Sequence, residues 1–291
     1  MPDHHPLILV TAANGQLGRL VVEALLDKHP ADRIAVTVRR KDLAEEFATR
    51  GIRAHVADYA QPDTLDAAFE GVDRLLLISS SALGQRIEQH RNAIEAAKRA
   101  QVKLLAYTSV LHADASTLGL AAEHRQTEAD LNTSAIPFAL LRNGWYTENY
   151  TASIPPALAH GVFLGSAGHG RIASAARADY AAAAVAVLTA SDDQAGGVYE
   201  LAGDTGYTLS QFAGEVARLS GKPVVYKDLP AADYKAVLVG AGLPEPIAAL
   251  LADSDLQASK GALDDRSGTL AKLIGRPTTP MAETISAALK G

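Results

Sequence analysis

Through about residue 145 the chain alternates short apolar runs with helix-patterned stretches, and few folds accept that alternation. The apolar runs fall at 7–11, 34–38, 52–56, 74–78, 103–108 and 136–141. Helical spacing covers 16–28, 41–49, 63–69, 83–100 and 120–134. Strand and helix in repetition give parallel strands joined by crossover helices, a doubly wound α/β sheet. Ligands of such a sheet sit beyond the carboxyl ends of its strands. The segments to read closely are therefore 11–18, 39–41, 57–59, 79–84, 108–114 and 142–149.

The first of them follows the run Leu7-Ile8-Leu9-Val10. It reads Thr11-Ala12-Ala13-Asn14-Gly15-Gln16-Leu17-Gly18 and opens a helical pattern at Leu17, Leu20, Val21, Ala24 and Leu25. Strand, tight turn and helix, with small residues in the turn, let a phosphate approach backbone amides at a helix N-terminus. Glycine also simply permits tight turns, so placement carries this argument, not glycine itself. The usual first glycine is Ala12 here, which is tolerable at negative φ and costly at positive φ. The second strand ends in Val38-Arg39-Arg40-Lys41. An acid at that place would hold a ribose 2′-hydroxyl; guanidinium groups bind a 2′-phosphate instead. The cofactor expected from these segments is NADP(H), with Arg39 on the 2′-phosphate.

Ser79-Ser80-Ser81 follows the apolar Leu75-Leu76-Leu77-Ile78. Small residues there let a cofactor pass close to the sheet, and a serine also caps a following helix. Asp58, after the third strand, is read equally as an adenine partner and as a helix N-terminal residue near Pro62. Leu141-Arg142-Asn143-Gly144-Trp145-Tyr146-Thr147-Glu148-Asn149-Tyr150 leaves the sixth strand and holds the single tryptophan. A planar ring can stack on Trp145 or Tyr146, and Asn143 can meet a carboxamide; the bland alternative is an aromatic plug between lobes.

A missing pattern matters as much. Ordinary short-chain dehydrogenases pair a tyrosine with a lysine four residues later, and none of the nine tyrosines here has lysine at that spacing. Tyr107 is followed by Leu111, Tyr146 by Tyr150 and Tyr180 by Ala184. A substrate that needs little proton assistance is expected. His112, His124, His160 and His169 are scattered without metal-ligand spacing, so no metal is expected. His124 is read as a surface residue, with a cleft-facing position on its helix as the alternative.

The later chain is less regular. Residues 145–176 are rich in Gly, Ala and Pro; helices are expected at 178–190, 208–220, 230–240 and 244–253, and a strand at 198–201. We expect a nucleotide domain over 1–145, with 178–201 returning to it, and a smaller substrate lobe mainly within 146–291. The chain has no cysteine, which excludes disulfides and thiolate chemistry. Its net charge of −6 argues against nucleic-acid binding. No apolar run approaches the roughly 18–20 residues that span a bilayer, and Met1–Pro6 lacks the features of a signal peptide, so a cytoplasmic protein off the membrane is expected.

Taken together, Val10–Gly18, Leu76–Ser81, Ala106-Tyr107-Thr108-Ser109, Leu141–Tyr146 and Lys272-Leu273-Ile274-Gly275-Arg276-Pro277 resemble the NmrA-like atypical short-chain dehydrogenases. Among these the chain looks most like the bacterial type 2 NAD(P)H:quinone oxidoreductases. The resemblance spans nearly the whole chain. It implies a doubly wound (Rossmann) parallel sheet with a smaller C-terminal α/β lobe and NADPH in the cleft. It further implies that Ala12, Ala13, Asn14, Gly15, Gln16 and Leu17 bind the diphosphate and Arg39 the 2′-phosphate. Ser79, Ser80, Ser81, Asn143, Gly144, Trp145, Tyr146, Thr147 and Glu148 would line the dinucleotide, joined by Ala175. The family motif has glycine where this chain has Ala12.

The expected reaction is hydride transfer from nicotinamide directly to a quinone, with Tyr146, Asn143 or a water donating to the oxygen that gains charge. Two alternatives stand beside it: a reductase of another flat, electron-poor substrate such as a triarylmethane dye, and an NADP(H)-sensing regulator without turnover. A homodimer is expected from the resemblance.

Overall fold

The computed structural model describes residues 5–290; Met1 to His4, part of the segment read for a signal peptide, and Gly291 lie outside the described residues. Strands and helices alternate as β1 (Ile8–Val10), α1 (Gln16–Leu26), β2 (Ile34–Val38), α2 (Lys41–Ala48), β3 (Arg53–Val56) and α3 (Pro62–Phe69). They continue with β4 (Arg74–Leu77), α4 (Arg86–Arg99), β5 (Leu104–Val110), α5 (Ala121–Thr133) and β6 (Phe138–Asn143). Then come α6 (Glu148–Thr151), α7 (Ile154–His160), β7 (Val162–Gly165), α8 (Arg177–Thr189) and β8 (Val198–Leu201). The chain closes with α9 (Leu209–Ser220), β9 (Val225–Asp228), α10 (Ala231–Gly240), α11 (Glu245–Ala258), α12 (Thr269–Ile274) and α13 (Met281–Lys290).

Seven strands form one sheet in the order β3-β2-β1-β4-β5-β6-β8. The pairs β1–β2, β1–β4, β2–β3 and β4–β5 are parallel, with Val10 level with Val36 and Leu76. Strand order reverses at β1 and β4, so the switch point falls where the turn 11–15 and Ser79–Ser81 leave the sheet. The central strands are buried on both faces, as their unbroken apolar runs require. On one face Leu65, Phe69, Ala93, Ile94 and Ala97 of α3 and α4 pack on Leu9, Leu75, Leu77 and Tyr107. In α1, Leu17, Val21 and Leu25 at four-residue spacing, with Val22, make the buried stripe.

The chain divides into two compact units. The first takes the chain up to Val110, Glu123–Arg142 and Tyr180–Tyr199; the second takes Leu111–Ala122, Asn143–Asp179 and the chain from Glu200 on. The second unit has its own two-stranded parallel sheet, β7 with β9, in which Phe163 is level with Tyr226. Its core is aromatic. The ring centre of Phe212 of α9 lies 5.2 Å from that of Phe163 and 5.8 Å from that of Tyr150, both tilted, and 5.9 Å from that of Tyr207, which stacks on it. A capping box between Thr208 and Gln211 starts α9. Asp179, fully buried, accepts hydrogen bonds from Arg276 and Thr279 and so ties down the Lys272–Pro277 motif. No helix among the described residues is long and apolar enough to cross a membrane.

Candidate functional site

In the first unit the turn after β1 is held by backbone alone. The Gly15 amide donates to the Ala12 carbonyl at 2.9 Å, and the Ala13 amide donates to Thr37 of β2 at 3.1 Å. Closing so tight a turn puts Ala12 at φ +50°, in the left-handed region that disfavours a side chain. Gly18 must lack one, since a Cβ there would lie 2.5 Å from the Ala12 carbonyl oxygen and 2.7 Å from the Ala13 Cα. Helix α1 then begins after its N-cap Gly15, with no side-chain cap and no acid in its first turn, which leaves its leading amides to an anion.

Below the turn, the Thr11 hydroxyl donates to the Leu76 carbonyl at 2.8 Å and accepts the Ile78 amide at 2.9 Å. The Tyr59 hydroxyl rests against Thr11 and the Ile78 carbonyl, joining the ends of β1 and β4. Tyr59 was no candidate in the sequence; only its partner 48 residues away reveals its part. Asp58 does not cap α3, whose N-cap is Gln61; its Oδ1 accepts the Ala60 amide at 2.9 Å in the turn before that helix.

Of the cations after β2, Arg40 pairs with Asp42 and Lys41 lies 3.8 Å from Glu45. Arg39 is exposed and, among the described residues, has no ion-pair partner. A guanidinium displayed at the end of β2 without an internal acid suits a phosphate dianion.

Ser79, Ser80 and Ser81 leave β4. The Ser79 amide donates to Thr108 Oγ1 at 2.8 Å and the Ser80 amide to His90 Nε2 at 2.9 Å. Because that amide is the donor, His90 carries its proton on Nδ1 and gives it to Thr127 Oγ1 at 2.9 Å. Burial holds the His90 imidazole neutral, its pKa pushed down to about 3. Ser80 does not cap α4, whose N-cap is Gln85; its Oγ accepts the Ala82 amide and bonds Gln89.

The surface reading of His124 is overturned. Its imidazole is buried against Tyr107, with the Tyr107 hydroxyl 2.7 Å from Nδ1, and burial pushes its pKa well down. Four residues on, Glu128 is buried with Arg142 at 2.7 Å and accepts the Ser109 hydroxyl.

In the second unit Asn143, Gly144, Trp145, Tyr146, Thr147 and Glu148 leave β6, and the structure brings them together with Ala175. The Ala175 amide donates to the Trp145 carbonyl at 3.1 Å and the Thr147 amide to the Ala175 carbonyl at 3.0 Å. Trp145 and Thr147 are buried and Tyr146 half-buried. The Thr147 hydroxyl shares a hydrogen bond with Ser174, which shares another with Tyr207. Both Glu148 carboxylate oxygens accept the Arg177 amide, at 2.9 and 3.0 Å, and so fix the start of α8. Arg177 in turn lays its guanidinium 4.6 Å from the centre of the Tyr146 ring. Asn143 Nδ2 reaches the Tyr146 hydroxyl at 3.5 Å, while its Oδ1 is buried with no partner among the described residues. Burial raises the Tyr146 phenol; the Asn143 amide and the Arg177 cation oppose that rise, and Glu148 adds to it.

In the first unit the uncapped α1 and the exposed Arg39 guanidinium without an acid suit the phosphates of a dinucleotide. In the second unit the orphaned Asn143 Oδ1 is an open acceptor for a ligand amide.

Comparison with known proteins agrees. A family model described as NAD(P)H-binding matches residues 12–191. The chain is 55% identical over 280 residues, 96% of its length and 98% of the relative's, to quinone oxidoreductase 2 of Escherichia coli. The crystal structure of the NADPH-dependent quinone oxidoreductase of Escherichia coli complexed with NADPH superposes with a TM-score of 0.94, covering 97% of this chain and 99% of that one. Triphenylmethane reductase of Citrobacter complexed with NADP(H) is 37% identical, with a TM-score of 0.92 over 97% of this chain and 99% of its own. The doubly wound sheet, the uncapped turn before α1 and these similarities together show that the chain belongs to the NAD(P)H-binding, NmrA-like family.

Proposed function

We propose that the chain is an NADPH-dependent quinone oxidoreductase that passes hydride directly to a bound quinone. The observation that carries the acceptor is its end-to-end similarity to quinone oxidoreductase 2. The unpaired Arg39 supports the preference for NADPH. When bound, NADPH supplies the hydride from C4 of its nicotinamide.

The residues do the rest. In the first unit the amides of Ala12, Ala13, Asn14, Gly15, Gln16 and Leu17 hold the diphosphate, Arg39 the 2′-phosphate, and Ser79, Ser80 and Ser81 leave room for the dinucleotide. In the second unit Asn143, Gly144, Trp145, Tyr146, Thr147, Glu148 and Ala175 make its remaining contacts. Asn143 Oδ1 accepts from a carboxamide. Tyr146 donates to the quinone oxygen on which charge develops. Orientation of two flat rings supplies much of the rate, and the charge on a quinone oxygen is delocalised, which is why the chain manages without a Tyr–Lys pair.

The test is the loss of NADPH absorbance with a benzoquinone or naphthoquinone, with NADH in parallel. Quinone-dependent oxidation favouring NADPH is expected. Tight NADPH binding with no oxidation across quinones and dyes would convert the reading to an NADP(H)-sensing regulator. The similarity to triphenylmethane reductase favours a cationic dye as the second acceptor, which the same panel separates. A homodimer in the cytoplasm completes the proposal, and light scattering checks the dimer.

A further inference from the structure

The chain lacks the lysine that ordinary short-chain dehydrogenases place beside their tyrosine, yet Tyr146 is not without a cation. Arg177 stands 31 residues later, across a turn, with its guanidinium carbon 4.6 Å from the ring centre. Its position is built rather than incidental. Glu148 grips the Arg177 amide with both carboxylate oxygens, and the bridge between Tyr146 and Ala175 holds the two segments side by side. Asn143 Nδ2 approaches the phenol oxygen from another side at 3.5 Å.

A cation against the face of a phenol favours the phenolate far more than the neutral ring, because the charge it meets grows when the proton leaves. We propose that Arg177 is a positioning residue for Tyr146, supplying the cation that the missing lysine would and easing transfer of the phenol proton to the reduced quinone. This rests on the quinone reading above. The chemistry balances. Hydride brings two electrons and one hydrogen nucleus from the nicotinamide to the quinone, giving a hydroquinone monoanion. The Tyr146 O–H bond breaks, its proton passes to the anionic oxygen, and solvent returns a proton to the tyrosinate. The charged and titratable groups facing Tyr146 are Arg177 of α8 and Glu148 of α6, with the Asn143 amide of β6 beside them.

Hydride transfer to a triarylmethane cation yields a neutral product and consumes no proton. A dye is therefore an internal control for the proton step. Arg177→Gln and Arg177→Lys both keep the backbone amide that Glu148 holds, so α8 keeps its start. Arg177→Gln is expected to lower kcat with a quinone about tenfold at neutral pH, with KM little changed, the dye rate preserved and the lysine variant largely restored. The second readout needs no turnover. A fluorinated tyrosine at position 146, followed by fluorine NMR with pH, is expected to ionise about one pH unit higher in Arg177→Gln than in its parent. Equal slowing of quinone and dye, or a fluorotyrosine midpoint that does not move, overturns the proposal. If the parent protein reduces no quinone, the functional reading falls, while the NMR titration still decides whether Arg177 governs Tyr146.

Discussion

Gly18 lies so close under Ala12 that the helix can start where it does only because residue 18 has no side chain. A Cβ on Gly18 would meet the Ala12 carbonyl oxygen at 2.5 Å and the Ala13 Cα at 2.7 Å, both backbone atoms that cannot swing aside. Gly18→Ala must therefore push α1 away from the turn. Overpacking of this kind costs about 1–3 kcal/mol. Because the displaced amides are those assigned to the diphosphate, NADPH affinity should fall by more than stability does. Fluorescence titration with NADPH beside urea unfolding checks this; full affinity in a folded Gly18→Ala protein would refute the assignment.

Ala12 presents the opposite case. At φ +50° it occupies a conformation that costs an L residue about 1–2 kcal/mol. Glycine adopts it freely but loses more chain entropy on folding, so part of that gain is offset. Ala12→Gly is expected to raise stability by about 0.5–1 kcal/mol and to leave NADPH binding equal or tighter. A loss of stability in thermal unfolding would mean the side chain makes contacts that outweigh the strain.

Much of this was legible before the structure. The central strands are continuous apolar runs buried on both faces, which stand out in the sequence; Ile34–Val38 and Val198–Leu201 fall where the pattern puts them. The glycine turn before α1 and the exposed cation at the end of β2 were legible because they follow strand ends directly. What stayed hidden depends on distant partners. β7 is four residues in a Gly- and Pro-rich stretch and is stabilised by β9, about sixty residues later in the chain. The burial of His124 follows from Tyr107 on a neighbouring strand, not from the polar sequence of α5. Arg177 carried no signal in the sequence, because a cation stacked on a ring 31 residues earlier leaves no local pattern.

Arg39 gives the sharpest prediction about cofactor choice. Charge-assisted hydrogen bonds to a phosphate contribute about 1.5–3 kcal/mol. Arg39→Ala should thus weaken NADPH by about tenfold to a hundredfold and leave NADH nearly unchanged, since only NADPH has the 2′-phosphate. Steady-state KM values for both cofactors decide it. Equal weakening of the two would remove Arg39 from the 2′-phosphate.

Asp255 should leave a mark on the pH dependence of stability. It is buried on α11, where its carboxylate accepts the Ser166 amide at 2.9 Å and the Tyr150 hydroxyl at 3.1 Å. Burial outweighs those hydrogen bonds, and the nearby Asp228 charge adds to it, so the carboxyl is pushed up from 3.8 to about 6. Between about pH 4 and 6 the folded protein then holds a proton that the unfolded chain has released. Stability from this group is full below that window and falls as pH rises through it, by about 3 kcal/mol in all. Asp255→Asn keeps an acceptor for Ser166 and never ionises. It should match the parent at pH 4 and exceed it at pH 7. Urea unfolding at both values tests this, and parallel pH profiles for the two proteins would contradict it.

The Arg142–Glu128 pair makes the last prediction, and the sign depends on which groups are removed. Arg142 Nη2 donates to Glu128 Oε2 at 2.7 Å and Nε to Oε1 at 3.0 Å, while the Ser109 hydroxyl donates to Oε1 at 2.5 Å. Both side chains are about nine-tenths buried, with 10% and 9% of their surface exposed. Removing Arg142 alone leaves a buried carboxylate whose desolvation is no longer offset by its cation, only by the Ser109 hydroxyl, so Arg142→Met should cost about 3–5 kcal/mol. Removing both charges abolishes that penalty along with the attraction. Arg142→Met with Glu128→Leu should therefore recover most of the loss, apart from about 1–3 kcal/mol for the Ser109 hydroxyl left without its acceptor. Urea unfolding of the parent, both single variants and the double variant gives the coupling directly. Additive losses would show that the two residues hold β6 and α5 independently and not as an ion pair.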